Sequence, residues 1–108
     1  MPVYNKLVRD KILEIIEADG LKYNARVLKP QELLVEVKAK MIEEAKEFQG
    51  ADTANESVEE LADVLELVHT ALSALGVTYE ELEEVRLQKK EKRGGFEKAI
   101  YLVDVEDK

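Results

Sequence analysis

The chain has 108 residues, 45% hydrophobic and 37% charged, with 5 Gly, 2 Pro, no Cys and a formal net charge of -8. That size suits one domain over residues 1–108 built around one core, and the apolar content excludes a disordered chain. The negative charge argues against a nucleic-acid polymer as partner, and the lack of Cys excludes disulfides and thiolate zinc sites.

The opening "MPVYNKLVRDK" carries charge where a secretory signal needs an apolar stretch. A first helix is expected from Asn5 as N-cap, with Val8, Ile12, Ile15 and Ile16 on one side and Gly20 as its stop. "LKYNARVL" (21–28) alternates as a short strand does. Pro30 suits the first turn of a second helix, which runs to about Phe48. "QGADTANES" reads as a loop. A third helix covers roughly 55–75 and ends before Gly76. Thr78 and Glu81 form a capping box for a fourth, with Val77 and Leu82 as its hydrophobic staple, and "RGGF" ends it. "AIYLVDV" (99–105) alternates again and has the pattern to pair with 21–28. The expected fold is all-α, a four-helix bundle with two short strands. "LVHTALSALGVTY" is too short to span a bilayer, so no membrane partner and a cytoplasmic location are expected.

The third helix is the most apolar. Leu61, Leu65, Val68, Leu72 and Leu75 make one stripe, and Val64, Leu67, Ala71 and Ala74 make a second. A surface that broad belongs in the middle of a bundle or beneath a second subunit, so a homodimer or homotetramer is expected. His69, the single histidine, lies beside Leu65 and Leu72 and reads as a packed core residue.

Two carboxylates interrupt the apolar stripes. In "KMIEEAKEF" (40–48), Glu44 falls between Met41 and Phe48; in the third helix Glu60 continues the line of Val64 and Leu67. Each has an acidic neighbour three residues on, Glu47 and Asp63, projecting from nearly the same side. Two antiparallel helices joined by a short loop aim all four acids into one space. The repulsion and lost hydration there call for a compensating cation, and magnesium suits carboxylates that share it with substrate phosphates. Plainer alternatives stand beside this reading. Ser57 and Glu60 also have capping-box spacing, and Glu44 fits a stripe-edge residue with a buried stem and a wet head.

Basic residues gather at two places. Lys6, Arg9 and Lys11 lie near the start, and Arg86, Lys89, Lys90, Lys92 and Arg93 end the fourth helix. Lys6 with Arg9, and Lys89 with Arg93, share helix faces and can neutralise phosphate oxygens. The second cluster equally suits a helix C-terminal dipole. Tyr4, Tyr23, Tyr79, Tyr101, Phe48 and Phe96 are each able to stack a base.

Glu44-x-x-Glu47 followed by Glu60-x-x-Asp63, with "YNKLVRDKI" before and "KRGGF" after, resembles the all-α nucleoside triphosphate pyrophosphohydrolases. That superfamily includes MazG proteins, dimeric dUTPases and phosphoribosyl-ATP pyrophosphohydrolases, and the chain looks like its MazG-like, phosphoribosyl-ATP pyrophosphohydrolase-like branch. The resemblance implies a helical, oligomeric, magnesium-dependent enzyme that cleaves a nucleotide between its α and β phosphates. Glu44, Glu47, Glu60 and Asp63 are then the expected metal ligands, and Glu47 the acceptor of the water's proton. Lys6, Arg9, Lys89 and Arg93 are the expected phosphate contacts. A nucleotide-pool role, phosphoribosyl-ATP hydrolysis in histidine synthesis, and a non-enzymatic helical oligomerisation module are the three functional readings.

Overall fold

Among residues 2–107, which the computed structural model describes, four helices form and no strand. They are α1 (Ile12–Ala18), α2 (Pro30–Gln49), α3 (Ala54–Leu75) and α4 (Tyr79–Arg93). The chain divides into two compact units, Met1–Val77 and Thr78–Lys108.

The helix ends follow local chemistry. Pro30 occupies the first turn of α2, and Glu32 Oε1 accepts the Lys29 N–H at 3.2 Å. Thr53 Oγ1 accepts the Glu56 N–H at 3.1 Å, while Glu56 Oε2 accepts the Asp52 N–H at 3.2 Å. The start of α3 is therefore capped by Thr53 and Glu56, and Glu60 is not a capping residue. Gly76 ends α3 at φ 72°, a left-handed conformation that glycine adopts without a Cβ penalty. Its N–H donates to Ser73 O and the Val77 N–H to Leu72 O, the paired bonds of a Schellman ending. Thr78 Oγ1 caps α4 by accepting the Glu81 N–H at 3.1 Å.

Three expectations are corrected. The first helix does not begin at Asn5; α1 starts at Ile12, and Asn5 sits at φ 45°, outside the right-handed helical region. Neither 21–28 nor 99–105 is a strand. Alternation stabilises a strand only against a partner, and here Val27 is 96% exposed and Ala99 turns at φ 54°. His69 is exposed rather than packed, as is its neighbour Leu65 one turn earlier, about half of which is open.

Within the first unit, α2 packs against α3. Residues 50–53 join them, too short a link for anything but an antiparallel return. Positions equidistant from that link face one another. Val37 and Leu67 are such a pair and both are buried, as is Leu72. Glu44 and Glu60 are another, nearer the loop, and Glu44 is as buried as the leucines. The outer side of α3 keeps its apolar residues in the open: Val58, Leu61, Leu65 and Leu75 are all about half exposed or more. α4 buries no residue. No single helix among the described residues is long and apolar enough to cross a membrane.

Candidate active site

The acids meet at the loop end of the α2–α3 pair. One carboxylate oxygen each from Glu44, Glu60 and Asp63 lie within 4.8 Å of one another, and so do oxygens of Glu43, Glu44 and Glu47. Glu44 belongs to both groups. The four expected ligands are thus gathered around Glu44 in two overlapping sets rather than one. Glu43 was missed from sequence; the readable signal was its i, i+4 spacing to Glu47 on the same helix.

Burial and charge make Glu44 and Glu60 costly to ionise. Glu44 is 7% exposed, and Glu60 and Asp63 are half-buried. Burial first, then the negative charges of Glu47 and Asp63, holds the Glu44 carboxyl above its ordinary range. Glu60 is pushed up to about 7, by burial first and then by Glu47 and Glu44. Glu44 Oε2 and Glu60 Oε2 are shut from solvent and accept no hydrogen bond. A buried carboxylate oxygen without a donor is rare, because its desolvation is uncompensated. A hard cation with oxygen ligands supplies the missing partner, so this donor set fits a divalent metal ion. The stripe-edge reading of Glu44, with its head in water, does not describe a carboxylate this enclosed.

The chain brings three of its own cations to the rim. Lys40 Nζ lies 3.9 Å from Glu44 Oε1 and 3.8 Å from Glu43 Oε2. Lys6 Nζ lies 3.8 Å from Glu43 Oε1. Arg9 Nη2 donates to Asp63 Oδ1 at 2.6 Å, a contact across 54 residues of sequence. Five carboxylates against these three cations leave two negative charges when all are ionised, which a divalent ion balances. Lys6 and Arg9, expected at phosphate, therefore stand beside the acids.

In the second unit, Lys89 and Arg93 line an open groove with Arg86, Lys90 and Phe96, whose ring is 98% exposed. Arg86 is held by Glu83, and Lys90 Nζ lies 3.2 Å from Glu97 Oε1. No ion pair among the described residues takes Lys89 or Arg93, so both remain available to an anion.

A family model, phosphoribosyl-ATP pyrophosphohydrolase, matches residues 12–90. The match contains all five clustered acids, Lys40 and Lys89, and leaves Lys6, Arg9 and Arg93 outside. No curated protein and no solved structure matches the chain. Membership of an enzyme family does not favour the reading as a non-enzymatic oligomerisation module. The matched span covers well over half of the chain and carries the acid-bearing helix pair, and on that ground the protein belongs to the phosphoribosyl-ATP pyrophosphohydrolase family, hydrolases of phosphoanhydride bonds within the all-α nucleoside triphosphate pyrophosphohydrolase superfamily.

Proposed function

We propose that the chain is one MazG-like domain that hydrolyses nucleoside triphosphates between the α and β phosphates, releasing a nucleoside monophosphate and pyrophosphate. The observation that carries this is Glu44, a buried carboxylate with one oxygen lacking any donor, set against Glu60 and Asp63 between two helices.

Glu44, Glu47, Glu60 and Asp63 would hold the metal, with magnesium the ion proposed for a phosphate substrate. When bound, that ion supplies positive charge that stabilises the transition state at phosphorus. Glu47 is the exposed member of its pair, open to solvent with a carboxylate oxygen within 4.8 Å of buried Glu44, and accepts the proton of the attacking water. Lys89 and Arg93 neutralise phosphate oxygens, with the guanidinium fork suited to gripping two at once. Phe96, exposed beside those cations, offers a face on which a base can stack.

A nucleotide-pool role implies work in the cytoplasm on a small soluble substrate. A second copy of the chain is the natural cover for α3. Val58, Leu61, Leu65, Val68, Leu72 and Leu75 alternate steps of three and four, the spacing of a helix–helix seam, and four of the six lie open. The quaternary proposal is accordingly a homodimer or homotetramer.

The family description is equally compatible with phosphoribosyl-ATP as substrate, which would put the same chemistry in histidine synthesis. A hydrolysis screen with magnesium over canonical and modified nucleoside triphosphates and phosphoribosyl-ATP separates the two. Release of monophosphate and pyrophosphate supports the cleavage position, and orthophosphate alone contradicts it.

A further inference from the structure

Arg9 occupies a position that the proposed reaction does not explain. It lies in the segment before α1, outside the span matched by the family, yet its Nη2 is 2.6 Å from Asp63 Oδ1, closer than Lys6 or Lys40 comes to the acid cluster. Lys6, from the same segment, reaches Glu43. Both cations are about half exposed, and the segment that carries them has no helix or strand to fix it. The contact is close but cheaply broken.

Electrostatics gives that contact a direction. A guanidinium spreads one charge over a plane, whereas a divalent ion concentrates two at a point. Both favour the ionised Asp63, and each raises the energy of the other beside it. A cation entering among Glu44, Glu60 and Asp63 therefore weakens the hold of Asp63 on Arg9. A phosphate oxygen arriving at the same cluster has the opposite effect, because it offers the guanidinium a new anion at close range.

We propose that Arg9 is an internal stand-in for the divalent cation: it neutralises Asp63 in the metal-free protein and transfers to a substrate phosphate oxygen once the cation is bound. The inference rests on the four-carboxylate metal site proposed above. It makes the cation and the nucleotide mutually supportive, since each removes a contact that opposes the other. By linkage the coupling is the same whichever ligand binds first. Without Arg9, the acids are a better site for a lone cation and a poorer one for a cation with nucleotide.

Calorimetric titration with Mn2+ alone, and again with a non-cleavable α,β-methylene nucleoside triphosphate, tests this on wild type, Arg9→Gln, Arg9→Lys and Lys22→Gln. Arg9→Gln should bind Mn2+ alone about two- to fivefold more tightly, the range an exposed ion pair supplies. It should bind the analogue with Mn2+ more weakly than wild type. Arg9→Lys, which keeps the charge, should return Mn2+ affinity towards the wild-type value. Lys22→Gln removes an equal charge from the 21–28 segment and should shift neither constant. Unchanged or weaker Mn2+ binding by Arg9→Gln would overturn the proposal and leave Arg9 as a brace for Asp63. Equal tightening in Lys22→Gln would overturn it in favour of a general field effect. Failure of the wild type to bind Mn2+ at all is a separate result that removes the metal site and this inference together.

Discussion

Glu44 of α2 and Glu60 of α3 face each other across the helix pair with carboxylate oxygens within 4.8 Å, and each keeps a buried oxygen that no donor reaches. Two acids so placed destabilise the metal-free fold and are relieved by a shared cation. Glu44→Gln should separate these effects. Removing one negative charge leaves the metal-free protein as stable as wild type or more so. Added magnesium should then raise its melting temperature less, because a ligand is gone. Turnover should fall by about 100-fold or more, since the ion supplies several kcal/mol of charge stabilisation. Melting curves with and without magnesium, read beside turnover, check all three; an active variant with the wild-type magnesium response would sink the site.

The raised acids set the pH dependence. Glu60 moves from 4.5 up to about 7 in the folded chain, and Glu44 shifts the same way. Between those values the folded protein holds a proton that the unfolded chain has released. Its stabilising contribution is full below about 4.5 and lost as pH rises through about 7. The metal-free melting temperature should therefore fall from about pH 5 to about pH 8, and Glu60→Gln should flatten the fall. Magnesium should stabilise the wild type more at the upper end, because its ligands must be deprotonated. A metal-free profile with the same slope in wild type and Glu60→Gln would remove the raised carboxyl.

Oligomerisation is tested at the open stripe of α3. Leu61 and Leu65 are each 49% exposed and adjacent along the seam. Sedimentation should show a dimer or tetramer for the wild type at micromolar concentration. Leu65→Glu puts a charge into that seam and should shift the species towards monomer while the helical signal persists. A wild type that sediments only as monomer would contradict the assembly.

At the end of α4, Arg93→Ala should raise the KM for nucleotide by about tenfold, the worth of one charge-assisted hydrogen bond to phosphate. The helical signal should hardly change, because the side chain is exposed and α4 buries nothing. Kinetics that match wild type across substrates would reduce Arg93 to a favourable charge at a helix end.

Helix type was legible in the sequence because it is a local matter. The period of the apolar residues, Pro30 at a first turn, Thr78 as a cap and Gly76 as a stop act within one or two turns of chain, and α2, α3 and α4 begin and end within a residue or so of where those signals put them. The anomalous acids were legible too, since a charge inside an apolar stripe breaks a strict pattern. The failures share a cause. Asn5 offered a cap without a helix behind it, the 21–28 and 99–105 segments alternated without a partner strand, and His69 shared a stripe that is only partly buried. Each depended on what lies across from the residue, which local pattern does not encode. The same holds for the Arg9–Asp63 pair, spanning 54 residues. Periodicity determined which residues stand on one helix face; only the folded chain decided which charges confront each other, because Coulomb energy depends on distance in space and not on distance in sequence.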